Sequence, residues 1–167
     1  MRNISIPTFG TFMPEHGGHF GAILRGAAAD GSQDYVVIVP TADGAEITAT
    51  TWSDEYNKIE GADSKHDGRA NTAAMAAAGI KLGQQIAALD LHGHKDWYLP
   101  AAAELRALSA TVPELFDKDD WYWSSTQYSR YNAWVQAFEY GLSDNDFKDD
   151  ERRVRPVRQI PLHTFIA

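Results

Sequence analysis

Short apolar runs alternate with polar, glycine-containing breaks in the first part of the chain. Two of these runs, 20–26 (FGAILRG) and 34–40 (DYVVIVP), contain β-branched residues and are separated by a polar segment that holds Asp30-Gly31. Apolar runs joined through such a turn are typical of a β-hairpin. A third run, 45–52 (AEITATTW), follows the turn signal Asp43-Gly44 and predicts another strand.

The middle of the chain has a helical period. Polar residues 53–69 predict a loop, and residues 71–91 then predict a helix with Asn71 as its N-cap. Gly79 and Gly83 lie inside this helix, where each costs about 1 kcal/mol relative to alanine, so we expect a break or an offset there. The apolar stripe of the helix consists of Met75, Ile80, Leu82, Ile86 and Leu89.

A second helix and a second group of strands complete the pattern. Pro100 suits the first turn of a helix over 100–110. Strands are predicted around 122–125, 133–138 and 153–157, with an acidic cluster in the loop before the last of them. Because strands, two helices and further strands follow one another in separate groups, the sequence predicts an α+β fold.

The chain of 167 residues fits one domain, since typical domains hold about 100–150 residues. Residues 1–20 are rich in Gly, Pro and aromatic side chains without a clear period, so we interpret them as an N-terminal arm for attachment or oligomer contact, irregular or in an edge strand. Residues 21–167 are then a single domain. We expect no membrane insertion and no signal peptide, because no run approaches about 20 apolar residues and the arm has no continuous apolar segment.

Charge and composition restrict the functions that the chain can have. The net charge of −8 disfavours nucleic-acid binding, because phosphate contacts need a basic field. The chain contains no cysteine, which excludes disulfides, thiolate metal sites and cysteine nucleophiles. A phosphate-binding loop and a nucleophile elbow are also missing, so we predict no enzymatic activity and no cofactor.

Two groups of residues suggest metal binding at first sight. His16 with His19 and His92 with His94 form pairs that lack an obvious third ligand, and we interpret both as glycine-containing turns. The acidic cluster over 144–151 lacks the ligand order of a calcium loop and leads into four arginines that offer ion pairs. We therefore predict no metal site.

Nine of the 19 aromatic residues lie within 121–147, among Ser, Asn, Asp and Gln. This mixture is also the composition of antibody-type binding loops, so the segment can supply a core, a binding surface or both. Alternation along the strands sends some rings inward, and we predict core positions for Trp123, Trp134 and Phe138. The rings predicted for the display face are Tyr131, Tyr140 and Phe147.

Three stretches resemble a known family when they are taken in order. They are DWYLPAAAELRAL (96–108), YWSSTQYSRYNAWVQAFEYG (122–141) and RVRPVR (153–158), preceded by DGRANTAAM (67–75). They resemble the Lcl-type C-terminal domain, a C-type-lectin-like fold found in bacterial adhesins and in phage and prophage proteins. The resemblance covers about 67–160 and extends to the variable proteins of diversity-generating retroelements. It implies irregular antiparallel sheets flanked by two helices, with loops that display ligand contacts.

The resemblance also implies a function. We expect a non-enzymatic binding module in a phage or prophage virion, as a tail-associated, receptor-binding or decoration protein. Its partners would be a host surface protein or glycan, other virion proteins and further copies in a homo-oligomer such as a trimer. The alternative is a purely structural virion or assembly protein with the same fold. The candidate ligand-binding residues lie within 127–152 and are Tyr128, Arg130, Tyr131, Asn132, Gln136, Tyr140, Leu142, Asp144, Asn145, Asp146, Phe147, Asp149 and Asp150.

Overall fold

The computed structural model describes residues 5–166, which contain two β-sheets and three α-helices. The first sheet has four antiparallel strands, which are, in spatial order, β1 (Phe12–Met13), β2 (Gly18–Leu24), β3 (Tyr35–Val39) and β9 (Arg158–Pro161). The hairpin predicted at the start of the chain is confirmed, because β2 pairs with β3. The predicted arm supplies β1, at the edge of the sheet, and the first three residues of β2.

The second sheet has five strands, which are, in spatial order, β4 (Ile47–Thr50), β8 (Arg152–Val154), β5 (Trp121–Gln127), β6 (Asn132–Ala137) and β7 (Ser143–Phe147). The predicted α+β class is confirmed, and all neighbours are antiparallel, as expected, except β5 and β8, which are parallel. The acidic segment predicted as a loop contains β7 instead. As an edge strand, β7 has one side free of strand neighbours, where charged side chains remain in water.

Three helices replace the two that were predicted: α1 (Gly68–Ala77), α2 (Lys81–Ala87) and α3 (Ala102–Thr111). The break expected in the long helix is confirmed, since Gly79 has a φ of 81° between α1 and α2. The N-cap prediction was wrong, because Asp67 caps α1 through its side chain and Asn71 is buried inside the helix. Among residues 5–166, no helix has the length and apolar character to cross a membrane.

The helices complete a core that lies between the sheets and on both faces of the first sheet. Helix α3 packs on β2 of the first sheet and on β6 of the second. The predicted core positions of Trp123 and Phe138 are confirmed, since both side chains are buried. The same prediction was wrong for Trp134, which is only partly buried. On the far side of the first sheet, Phe9 and Phe165 both pack against Phe20, so residues near both chain ends cover that face.

Two arginines of the RVRPVR stretch bond to the segment that connects β3 of the first sheet to β4 of the second. Arg153 donates to Glu46 at 2.7 Å. Arg155 pairs with the other oxygen of Glu46 and donates to the carbonyl oxygens of Pro40 and Leu115 at 3.1 and 3.0 Å. Burial acts to raise the pKa of Glu46, but hydrogen bonds from both arginines outweigh it and hold that pKa below its ordinary value. These arginines are occupied within the fold.

The last arginine of the stretch anchors the N-terminal segment. Arg158 donates to Asp96 at 2.5 Å and to the carbonyl oxygen of His16 at 2.6 Å. Its guanidinium also lies 5.7 Å from the centre of the Trp97 ring. Residues that precede β2 are therefore attached to the body of the protein.

Candidate binding surface

The predicted display residues are spread along the hairpin formed by β6 and β7. One end is closed by the amide of Lys148, which donates to the carbonyl oxygen of Tyr131 at 2.8 Å, and the other by Ala137, which donates to Leu142 at 2.8 Å. These two pairs lie six residues apart along the strand, which is roughly 20 Å. Tyr140 is 76% exposed at the Leu142 end. The three predicted display rings therefore do not form one patch.

An aromatic cluster occupies the other end of the hairpin. It consists of Tyr56, Tyr131 and Phe147, which are 38%, 48% and 55% exposed. The ring centre of Tyr56 lies 5.5 Å from that of Tyr131 and 6.4 Å from that of Phe147. Sequence reasoning missed Tyr56, because it lies in the polar loop over 53–69 and meets the other rings only in the folded chain.

Polar contacts connect the aromatic cluster to its surroundings. The hydroxyl of Tyr56 donates to Asp149 at 2.6 Å, and this hydrogen bond raises the pKa of Tyr56. Arg130 is exposed and donates through Nε to the carbonyl oxygen of Tyr56 at 3.2 Å. The guanidinium of Arg130 lies 5.3 Å from the centre of the Tyr131 ring. A carboxylate and a guanidinium therefore flank the exposed rings.

A second pair of rings lies beside the hairpin. Tyr128 is exposed and packs edge-on against Trp134, with ring centres 5.3 Å apart. The same face of the sheet carries Asn132, whose side-chain nitrogen Nδ2 donates to Oδ1 of Asn145 at 2.7 Å. Asn132 pairs across the strands with Phe147, so this polar face continues into the aromatic cluster.

The acidic candidates contact arginine and backbone. Asp146 pairs with Arg152 at 2.7 Å, and Asp150 lies 3.9 Å from the same guanidinium. Asp144 accepts from the amide of Asn145 at 2.8 Å. Within residues 5–166, no group of three or more His, Asp or Glu side chains is arranged to hold a metal ion.

The predicted histidine pairs are also engaged in local contacts. The ring of His19 is hydrogen-bonded to the carbonyl oxygen of Gly10 and to the hydroxyl of Thr41, both at 2.9 Å. His94 contacts the carbonyl oxygen of Glu15 at 3.1 Å. These contacts attach the N-terminal segment to neighbouring loops.

The display prediction was wrong for Gln136. Its side chain is 2% exposed and accepts from the hydroxyl of Ser143 at 2.6 Å. Helix α3 covers this part of β6, with Leu105 and Arg106 opposite Gln136. The alternation of the strand sends Gln136 to the face that the helix occupies, and sequence alone does not show how far along the strand the helix extends.

Most of the chain matches a known protein family. Residues 45–158 match the Lcl C-terminal domain family. The chain belongs to this family. No curated protein matches the sequence. A solved structure of a fimbrial protein from Bacteroides ovatus is similar at 12% identity with a TM-score of 0.49, over 84% of this chain and 43% of that chain.

The Lcl C-terminal domain accounts for the resemblance that the sequence suggested. Its match includes β4 to β8, all three helices and every residue of the aromatic cluster. Strands β1 to β3 lie outside the match. The candidate binding surface is thus built by the domain that the family defines.

The Lcl C-terminal domain also has a cleft beside the loop that carries Tyr56. The cleft has a volume of about 510 Å³ and lies between residues 50–59 and residues 78–85. Lys81 and Asp54 form an ion pair of 3.4 Å between its two sides. Polar and apolar side chains line the cleft in similar proportion, and the rings of the aromatic cluster lie outside it.

Proposed function

We propose that the protein is a non-enzymatic binding module whose ligand contacts the aromatic cluster. The observation that carries this proposal is the meeting of three exposed rings from three separate segments. Tyr56, Tyr131 and Phe147 each leave more than a third of their surface in water. Rings held together by the fold but left exposed retain apolar area that a ligand can bury.

The surroundings of the cluster are suited to recognition. Tyr and Arg are enriched among residues that dominate binding energy, because they combine a large contact area with directed hydrogen bonds. Arg130 and Asp149 supply opposite charges at the rim, and Tyr128 with Asn132 extends the surface along the hairpin. We propose a ligand that is a host surface protein or a glycan.

The proposal predicts that binding depends on the rings of the cluster. The labelled protein is applied to a printed glycan array and to intact bacterial cells, which serve as the two probes. Tyr131→Ala and Phe147→Ala are expected to weaken binding about 30-fold, since loss of a central contact costs about 2 kcal/mol. The measurement is the concentration for half-maximal signal on each probe.

Two controls separate the cluster from exposed rings in general. Tyr140→Ala removes a ring that is 76% exposed at the other end of the hairpin, and is expected to leave binding unchanged. Ile23→Ala removes an exposed apolar side chain of the first sheet and tests that surface in the same way. Equal losses from Tyr140→Ala and Tyr131→Ala, or no binding to either probe by the unmodified protein, contradict the proposal.

The setting of this activity is also part of the proposal. We propose a C-type-lectin-like fold in a phage or prophage virion, acting as a tail-associated, receptor-binding or decoration protein and assembling as a homo-oligomer. Membership of the Lcl C-terminal domain family supports this setting. Under this proposal, the segment around β6 and β7 corresponds to the part that varies in retroelement-diversified relatives.

A structural role in assembly is the second candidate, and the N-terminal segment favours it. Ile6, Phe9 and Phe12 are 38%, 49% and 52% exposed, which leaves apolar area in the segment that precedes β2. Phe9→Ser and Phe12→Ser are then expected to prevent assembly while leaving the aromatic cluster intact. Sedimentation compares their oligomeric state with that of Tyr131→Ala, and unchanged sedimentation contradicts the assembly role.

A further inference from the structure

Lys148 lies at the point where the three segments of the aromatic cluster meet. Its backbone amide donates to the carbonyl oxygen of Tyr131 at 2.8 Å. Its carbonyl oxygen accepts from the amides of Trp52 and Ser53 at 2.9 and 3.1 Å. The backbone of this one residue therefore joins the end of β7 to the turn after β5 and to the loop that carries Tyr56.

The side chain of Lys148 continues the same connections below the surface. It is fully buried, and Nζ donates to the carbonyl oxygen of Asn57 at 2.8 Å and to Oε1 of Gln127 at 3.0 Å. Oε1 of Gln127 also accepts from the amide of Ile59 at 3.0 Å. The amine is therefore bonded to the loop that carries Tyr56 both directly and through Gln127.

Each ring of the cluster lies within one residue of these contacts. Phe147 precedes Lys148, Tyr56 precedes Asn57, and Tyr131 supplies its own carbonyl oxygen. The position of every ring is thus tied to the same side chain and its backbone.

Burying an amine at this position costs more free energy than burying an apolar side chain, so packing alone does not explain Lys148. Within residues 5–166, no carboxylate lies within ion-pair distance of Nζ, and both hydrogen-bond acceptors of Lys148 are uncharged. The face of the Trp52 ring, whose centre lies 4.5 Å from Nζ, offsets part of the free-energy cost of burying the ammonium group. Burial lowers the pKa of Lys148 to about 8. An apolar side chain of the same length avoids this cost, but it supplies no directed hydrogen bonds.

We propose that Lys148 is a positioning residue that sets the geometry of the aromatic cluster, by binding the loop of Tyr56 and the turn of Tyr131 to the end of β7. That this geometry serves ligand binding rests on the proposed function. The geometry itself is measured without a ligand, so the two proposals fail separately.

The absence of cysteine from the chain allows a chemical test. Lys148→Cys introduces a single thiol, which is alkylated in denaturant before refolding. With 2-bromoethylamine the product carries an amine at the position of Nζ, and with 1-bromopropane it has the same length and carries a methyl group instead. The two proteins differ only in the hydrogen-bonding group.

The measurement is the set of nuclear Overhauser effects (NOEs) between ring protons. The aminoethyl protein is expected to keep the contacts of Tyr56 with Tyr131 and Phe147, and the propyl protein is expected to lose them. Contacts between Tyr122 and Phe138, whose ring centres lie 5.2 Å apart in the core, report whether the fold is retained. A propyl protein that keeps all of these contacts overturns the proposal.

If the alkylated proteins do not refold, hydrogen exchange of the unmodified protein tests the proposal. The amides of Trp52, Ser53 and Lys148 are expected to share one protection factor, the ratio of intrinsic to measured exchange rate, because they open as one unit. Protection factors of Trp52 and Ser53 that are more than about tenfold lower than that of Lys148 overturn the proposal.

Discussion

Glu104 is a carboxylate buried among four hydrogen-bond donors. It accepts from the hydroxyls of Tyr98 and Tyr35, and from the amides of Gly68 and Ala101 at 3.1 and 3.0 Å. Burial raises the pKa of Glu104 to about 7, although these hydrogen bonds favour the ionised form. The residue joins β3 to the beginnings of α1 and α3, and the free energy of this connection depends on pH.

The sign of that dependence is a testable prediction. Because the pKa lies above its ordinary value of 4.5, the folded protein binds more protons than the unfolded chain between pH 4.5 and 7. The contribution of Glu104 to stability is full below pH 4.5 and falls as the pH rises towards 7, by about 3 kcal/mol. Glu104→Gln lacks this dependence, and urea unfolding of both proteins across this pH range measures it.

Subtracting the unfolding free energy of the parent from that of the variant cancels the contributions of groups that titrate in both proteins. The difference in the free energy of unfolding between Glu104→Gln and the parent is expected to increase with pH in favour of the variant. A difference that stays constant from pH 4.5 to 7 contradicts the raised pKa.

At the scale of single elements, α1 and α2 meet at a glycine. A Cβ on Gly83 would lie 2.6 Å from the Cβ of Met75 and 2.7 Å from the amide nitrogen of Ala76. This close approach lets the two short helices pack on Trp123 and the rest of the same core cluster. Gly83 therefore serves tertiary packing, although it lowers the helical propensity of α2.

Gly83→Ala tests this packing. In an ordinary helix the change stabilises by about 1 kcal/mol, but here the added methyl group meets backbone, so we expect destabilisation of about 1–3 kcal/mol. Gln85→Ala, at an exposed position of the same helix, is expected to change stability by less than about 0.5 kcal/mol. Chemical unfolding gives both values, and a stabilised Gly83→Ala protein contradicts the packing argument.

Sequence predicts an element well when one factor, such as burial in the core, sets its pattern of apolar and polar residues. Strands β2 and β3 are bounded by turn residues and buried in the core, so their apolar runs are clear. Strand β7 was missed because its Ser, Asp and Asn residues are tolerated only at a sheet edge, which depends on strand order. Tyr56 was missed for a similar reason, since its partners are 75 and 91 residues away in the chain.

At the scale of the whole molecule, hydrogen bonds from one arginine connect the two sheets. Arg155 reaches from the segment after β8 to the carbonyl oxygens of Pro40 and Leu115 and to Glu46, and its guanidinium lies 5.3 Å from the ring centre of Phe116. The RVRPVR stretch thus contributes to the architecture of the molecule.

Arg155→Met is expected to destabilise the protein by about 3 kcal/mol, because it leaves the buried carbonyl group of Pro40 and the partly buried one of Leu115 without this donor and removes one partner of Glu46. Arg130→Met is the matched control, since Arg130 is exposed, and it is expected to change stability by less than about 0.5 kcal/mol. Guanidinium unfolding measures both. Equal effects of the two substitutions contradict a structural role for Arg155.

The strand order described above also bears on aggregation. The outer strands are β1, with two residues, β9, which ends in Pro161, β4, whose pairing is interrupted, and β7, which carries Asp144 and Asp146. Short, interrupted, proline-ended or charged edges resist pairing with strands of another molecule. Many copies can therefore be held close together without their sheets fusing into fibrils.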